Sequence, residues 1–431
     1  MTQELKTAKR RLSVKPPGAS NILLISDLTG GGAAISCRRL FQALRGQGCD
    51  ATWVAARGDA QSGARIASDW PNLGALLLQR LFARAGIRGR WLEHFGQSAN
   101  EKNVLGVVRG VRPRLINLHN IHGSASFELA RALPSRLPIV WTLHDMWPLT
   151  GYCRYSMDCG DFAEGCRGAC IQAGQWGETW RSPPKEWLIR ERFFAMNSHR
   201  IAFACPSRWM ARQVRARFGG RFRVEHIPYS LDLKVFKPLG DKRSIRKMLG
   251  LPVDRPLVMA GAHSLEDGRK GSASVAAAVD RLSGGTCGVI ALGDRPQGRS
   301  LPSNWTPIGF IKDERLLNLY YNAADVYVLP TMADNLPNTL IESVAAGTIC
   351  VAFDVGGCSD VVRDGQTGFL AKPADIGALS EGIRRVLESS PEERDRMSGE
   401  CRSVAVRDYA PSVQAAKYET LFGDMLAGSR V

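Results

Sequence analysis

Residues 21–48 read NILLISDLTGGGAAISCRRLFQALRGQG, and this stretch decides the fold. The unbroken apolar run from Ile22 to Ile25 suits a strand buried on both faces. Gly30, Gly31 and Gly32 follow, after which apolar residues recur at helical spacing until Gly46 and Gly48 end the pattern. Strand, glycine turn and helix form the opening of a doubly wound α/β unit. Further strands are expected at 51–55 (ATWVA), 115–118 (LINL) and 139–143 (IVWTL), with helical stretches between them. Strands that alternate with helices imply a parallel sheet.

The same pattern restarts in the second half. A charged, proline-bearing stretch at 237–252 precedes PLVMAG at 256–261. CGVIAL (287–292), WTPI (305–308), VYVL (326–329) and ICVAF (349–353) follow, separated by helix-like segments. The boundary falls near 235–255, giving one domain over 21–240 and a second over 241–410. A helical stretch at 413–426, behind Pro411, would pack back on the first domain. The expected architecture is α/β, with two Rossmann-like domains facing a cleft, and the cleft is the expected ligand site.

Of 431 residues, 44% are hydrophobic and 23% charged, which excludes wholesale disorder and fibrous architectures. Residues 1–20 are basic and lack the apolar core of a secretory signal, so they read as a disordered lead-in. No uncharged apolar run approaches the ~18–20 residues needed to cross a bilayer. A soluble, cytoplasmic protein is expected. Charge is unevenly placed: residues 1–235 hold 34 Lys and Arg against 17 Asp and Glu, and the remainder 23 against 24. Such asymmetry points to an anionic partner for the first half, either an anionic membrane face or a phosphate-bearing ligand. Nucleic acid is disfavoured, because the chain has no RNA-reading aromatic motif, zinc-finger histidine pair or helix-turn-helix signature.

Several segments carry candidate chemistry. Gly31 and Gly32 let the backbone approach an anion at a helix N-terminus, although a purely structural turn has the same sequence. As a dinucleotide fingerprint the segment fails at Ile35, and no acidic residue clearly ends the second strand, which disfavours a nicotinamide dehydrogenase. In GAHSLEDGRKG (261–271), Arg269 and Lys270 could neutralise a phosphate or stand as a solvated pair. Residues 324–347 read ADVYVLPTMADNLPNTLIESVAAG. Here a strand ends at Pro330, a loop carries Asp334, and Pro337 opens a helix with Asn338, Thr339 and Leu340 in its first turn and Glu342 behind them. First-turn N–H groups would face an anion, with acids on either side to hold hydroxyls.

Two clusters invite a metal reading. His119 and His122, with His144 and Asp145 downstream, read better as hydrogen-bonded residues lining the cleft than as zinc ligands. Cys153, Cys159, Cys166 and Cys170 lie in GYCRYSMDCGDFAEGCRGAC, with spacing C-x5-C-x6-C-x3-C. A structural four-thiolate zinc, disulfides and unlinked thiols all remain open for this loop.

The 324–347 segment resembles the E-x7-E region of retaining glycosyltransferases of family 4, which have the GT-B fold. IGFIKDERLLNLYYNAADVYVLP (308–330) and VGGCSDVVRDGQTGFLAKPAD (355–375) agree in order, as do the glycine loop and the RKG stretch, so the resemblance runs from about 21 to 425. ADNLPNTLIES, NLHNIHG and TLHDMW are similar to a branch that builds bacterial exopolysaccharide of the colanic-acid type and carries a comparable cysteine loop.

The resemblance implies roles residue by residue. Lys270, beside Arg269, contacts the donor diphosphate. Asp334 stands where the first Glu bonds sugar hydroxyls, and Glu342 holds the nucleotide ribose. The backbone of Asn338, Thr339 and Leu340 meets the distal phosphate, Ile311 receives the base, and His144 lies beside the transferred sugar. Gly31 and Gly32 lie near the phosphate and acceptor. The candidate catalytic residues are therefore His144, Lys270 and Asp334. Two positions depart from the family pattern: Ser264 replaces an arginine, and Asp334 shortens a glutamate.

No catalytic cofactor is expected. The chain has no D-x-D metal motif, so Lys270, Arg269 and the helix N-terminus would stabilise the charge of the leaving diphosphate. The implied activity is transfer of a hexose, with retention, from a UDP- or GDP-sugar to a carbohydrate or lipid-linked saccharide in polysaccharide biosynthesis, on the cytoplasmic side and at the periphery of the inner membrane. The alternative, motivated by Ser264 and Asp334, is a non-catalytic GT-B protein that binds sugar nucleotide or glycan in an assembly. A sugar-nucleotide epimerase would need acid–base carboxylates that the sequence does not supply.

Overall fold

The computed structural model describes residues 21–67, 90–167, 170, 182–264, 268–282, 287–294 and 301–428. The expected lead-in at 1–20 lies outside them. Among the described residues thirteen strands form two wholly parallel sheets. The first has order β3-β2-β1-β4-β5-β6-β7 and contains β1 (Ile22–Ser26), β2 (Ala51–Ala55), β3 (Arg65–Ile66), β4 (Leu115–Leu118), β5 (Ile139–Thr142), β6 (Ile201–Cys205) and β7 (Arg223–His226). The second has order β10-β9-β8-β11-β12-β13 and contains β8 (Leu257–Ser264), β9 (Gly288–Asp294), β10 (Trp305–Gly309), β11 (Val326–Leu329), β12 (Cys350–Phe353) and β13 (Gly368–Ala371).

Both orders reverse direction beside their first strand, between β1 and β4 and between β8 and β11. Ligands of open α/β sheets sit at the carboxyl ends of the strands at such points. The Gly30–Gly32 turn and His119 follow β1 and β4, and the Arg269–Lys270 and Asp334 loops follow β8 and β11. The topology therefore turns the motif-bearing loops of the two lobes toward one seam.

Four strands were not legible beforehand. β6 is a buried apolar run, but β3 has two residues, β7 is a half-exposed edge strand (RVEH), and β13 lies in a glycine-bearing motif. The chain also enters the second lobe earlier than residue 241, since Tyr229, Leu231 and Phe236 already pack in that lobe's core.

The last helix, Pro411–Gly428, crosses back to the first lobe. Ala415, Tyr418, Leu421 and Phe422 pack with Ile22, Leu24, Leu40 and Leu44 of β1 and the Gly32–Gly46 helix. The Tyr418 hydroxyl lies 2.8 Å from Thr142 Oγ1 at the end of β5. Among the described residues no helix is long and apolar enough to cross a membrane.

Tyr418→Phe, which removes one buried hydrogen bond, is expected to lower unfolding free energy by about 1 kcal/mol. Tyr418→Ala, which also opens a cavity, should lower it by roughly 3–5 kcal/mol in urea titrations. Equal effects from the two variants would mean that the helix is not anchored through this side chain.

Candidate functional site

The seam is held by polar side chains that reach between the lobes. Arg39, from the Gly32–Gly46 helix, places Nη2 3.0 Å from Glu342 Oε1 and 3.0 Å from Glu314 Oε1. Both Arg39 and Glu342 are buried, and Tyr321 donates its hydroxyl to Glu342 Oε2 at 3.2 Å. Burial raises the Glu342 pKa against the opposing charge of Arg39, so this carboxylate depends on its cation. Asn338 donates from Nδ2 to the Gly32 carbonyl at 3.2 Å, so the glycine turn of the first lobe touches the helix start of the second. Asn335, itself buried, donates to the Leu143 carbonyl at 2.7 Å and accepts from Ser207 Oγ at 2.6 Å.

Lys270 ends a short turn and forms an ion pair with Asp334. Gly271 takes φ 76°, and a Cβ there would lie 2.2 Å from the Pro330 carbonyl oxygen, so the residue after Lys270 must be glycine for the loop to reach the end of β11. Arg269 donates to the Ala333 carbonyl at 2.6 Å. On the other side of Asp334, Gly356 takes φ 56°, and a Cβ there would stand 1.7 Å from the Asp334 carbonyl oxygen. The glycine pair of VGGCSD thus allows the 334–335 loop to sit against it.

The helix after Pro337 runs Asn338–Ala345 and has no side-chain N-cap, and the Gly32–Gly46 helix behind Gly31 also lacks one. First-turn N–H groups of both helices thus have no capping side chain. Thr339 is half-buried and Leu340 fully buried. Ile311, also half-buried, packs at the rim of the second-lobe core. Ser264 lies in β8 in register with Asp294.

His144 follows β5 and is buried within a relay. The Val140 carbonyl can only accept, so it takes Asn117 Nδ2 at 2.9 Å and turns Asn117 Oδ1 toward His119 Nε2 at 3.0 Å. Neutral His119 then accepts at Nδ1 from His144 Nε2 at 2.8 Å, and His144 Nδ1 accepts from the Tyr229 hydroxyl at 2.7 Å. Burial pushes the His144 pKa down to about 4 and that of His119 well below its ordinary value, so both rings stay neutral at pH 7. Both nitrogens of His144 are engaged, so it can meet another hydroxyl only by exchanging His119 or Tyr229. His122 Nε2 lies 2.8 Å from Asp145 Oδ2. Burial opposes ionisation of Asp145, but His122 and the Trp147 N–H outweigh it and hold the carboxyl below its usual range.

The sequence leaves zinc, disulfides and unlinked thiols open for the cysteine loop. All four thiols are free, and among the described residues no three His, Cys, Asp or Glu side chains converge as a metal-holding group. Burial, with the three neighbouring thiols adding to it, pushes Cys153 up to about 12. Cys166 accepts from the Gly151 N–H at 3.2 Å. The loop delivers Tyr155 to the seam, where the Arg269 guanidinium lies 5.6 Å from its ring centroid and Trp209 stacks at 6.3 Å. Sequence reading missed Arg39, Glu314, Asn335, Tyr155 and Tyr229. The Arg38-Arg39 pair following the glycine turn was the one signal available.

Comparison with known proteins accords with this geometry. Residues 30–235 match the family described as Glycosyltransferase Family 4, and residues 295–403 match Glycosyl transferases group 1. The two matched stretches fall one in each lobe of the GT-B fold. D-inositol 3-phosphate glycosyltransferases of Mycobacterium tuberculosis and Mycobacterium bovis are 30% identical over 200 residues, 43% of this chain and 41% of theirs. The chain therefore spans about two-fifths of the length of these curated relatives. Among solved structures, a sucrose-phosphate synthase from Thermosynechococcus elongatus superposes with TM-score 0.70 at 21% identity, covering 95% of this chain and 99% of that one. HepE of Anabaena in complex with UDP-glucose superposes with TM-score 0.65 at 15% identity, covering 94% and 99%.

Two outcomes follow from the site. Arg39→Met strands the Glu342 carboxylate in the seam and is expected to lower stability by about 3–5 kcal/mol, with a substantial part recovered in the Arg39→Met/Glu342→Gln double variant. Because the unfolded chain protonates His144 near pH 6.5 and the folded one near 4, the unfolded state binds more protons between these values. Stability should therefore fall as pH drops from about 6.5 to 4, His144 alone accounting for roughly 3 kcal/mol. Urea midpoints measured across that range should flatten in His144→Gln.

Proposed function

We propose that this protein is a glycosyltransferase that moves a hexose from a nucleoside-diphosphate sugar to a saccharide or lipid-linked saccharide, with retention at the anomeric carbon. One observation carries the reading: the two adjacent cations Arg269 and Lys270, the uncapped start of the Asn338–Ala345 helix and the Gly30–Gly32 turn meet at the seam, at the carboxyl ends of the switch-point strands. A sugar–diphosphate bond breaks with negative charge growing on the leaving phosphate, and fixed cations and aimed N–H dipoles lower that barrier. Lys270 now faces Asp334. On donor binding Lys270 would exchange this carboxylate for the diphosphate, and Asp334 would accept hydroxyls of the transferred sugar instead. Glu342 would hold the ribose once Arg39 yields it, so donor binding and the Arg39 contact compete for one carboxylate.

The domain descriptions support the transferase class, and the UDP-glucose carried by HepE supports a uridine donor. The excess of cations in the first lobe supports an acceptor presented at an anionic surface, with the protein on the cytoplasmic side.

UDP is expected to raise stability by about 2.7 kcal/mol at 100 times its dissociation constant, and GDP to do so less well. Lys270→Ala should slow nucleotide release from UDP-glucose about a hundred- to thousandfold, and NMR of the product should show the anomeric configuration of the donor. Stabilisation by neither nucleotide would overturn the proposal. Binding without turnover would instead favour the non-catalytic assembly protein.

A further inference from the structure

At the opposite, amino-terminal ends of β4 and β5 lies a groove of about 500 Å³. Its floor includes Val108, Pro113, Pro134, Leu137, Pro138 and Leu426, and its cations are Arg109, Arg112, Arg114 and Arg136. Among the described residues the lining has no carboxylate. Some arginines elsewhere on the surface are paired, Arg131 with Glu128, Arg221 with Glu191, Arg223 with Asp424 and Arg384 with Glu381, and the groove is set apart by gathering four guanidiniums on one floor. Among the described residues none of the four groove guanidiniums has an ion pair or a hydrogen bond. Arg112 also takes φ 49° just past the end of the Arg90–Val111 helix, where glycine would be unstrained. A glycine would relieve the backbone but would remove a charge from the groove.

Four like charges around one apolar floor repel one another and are stabilised by a shared anion. The forked guanidinium matches phosphate oxygens bidentately, and the proline and leucine floor suits the apolar part of a phosphate ester. We propose that this groove is a second anion site, distinct from the seam, that binds a phosphate group borne on a small soluble molecule or on a lipid headgroup. It lies a full strand length from the seam and does not depend on the glycosyltransferase reading.

The test uses the full chain and a triple variant, Arg109→Gln/Arg112→Gln/Arg136→Gln, with Arg131→Gln/Arg221→Gln/Arg384→Gln as a charge-matched control outside the groove. Calorimetric titration with inorganic pyrophosphate is one arm. The other is co-sedimentation at low salt with phosphatidylcholine vesicles, with and without phosphatidylglycerol. Binding in either arm that weakens about tenfold or more in the triple variant, but not in the control, supports the site. Loss in the pyrophosphate arm alone identifies a soluble ligand, and loss in the phosphatidylglycerol arm identifies a lipid headgroup. Retained UDP-induced stabilisation shows that the variant is folded, and an unchanged circular dichroism spectrum does so if UDP proves not to bind. Pyrophosphate and vesicle binding that persist undiminished in the triple variant, or no binding in either arm, would overturn the proposal.

Discussion

The buried contact of Arg39 with Glu342 is the interaction on which the rest of the seam depends. A carboxylate this far from water persists as an anion only beside a cation, and the cation comes from the other lobe. The pair therefore does more than join two domains. It makes the ionisation state of a second-lobe residue a function of where the first lobe sits. Glu314 shares the same guanidinium, so displacing Arg39 affects two acids at once. Lys270 with Asp334 repeats the pattern entirely within the second lobe. The charged groups at the seam thus neutralise one another.

The histidines of the first lobe follow a different logic. One backbone carbonyl, that of Val140, orients the Asn117 amide, and this fixes the tautomer of His119 and then of His144. The rings are held neutral by burial, so they work through hydrogen-bond direction and carry no charge at neutral pH. His122 lies a few residues away and faces the Asp145 carboxylate instead, at 2.8 Å. Two histidines three residues apart thus take different partners, His119 a second ring and His122 a carboxylate.

Much of the molecule was readable beforehand, for local reasons. β2, β4 and β11 fall at the expected residues, and β1, β5, β8, β9, β10 and β12 differ from expectation by a few residues at their ends. Continuous apolar runs bounded by glycine or proline mark buried parallel strands clearly. The runs that escaped notice are too short (β3), too polar at a sheet edge (β7), or embedded in segments dominated by other features (β6 and β13). Among candidate site residues, Lys270, Asp334, Asn338 and Glu342 were singled out by the motifs that carry the family resemblance. Tyr155 carried none, because a tyrosine in a cysteine-rich loop reads as part of that loop until the fold brings it over Arg269.

The sequence by itself determined the two parallel sheets and the ends of the strands at which chemistry could sit. Hydrophobic periodicity and glycine punctuation act over a few residues, and strand order follows from how such units wind. Only the tertiary structure decided which charges meet. Arg39 and Glu342 are separated by 303 positions, and no local pattern encodes a contact made through two folded lobes. Partner choice there follows from the packing of helices onto separate sheets and from the need of a buried carboxylate for the nearest cation that the packing supplies.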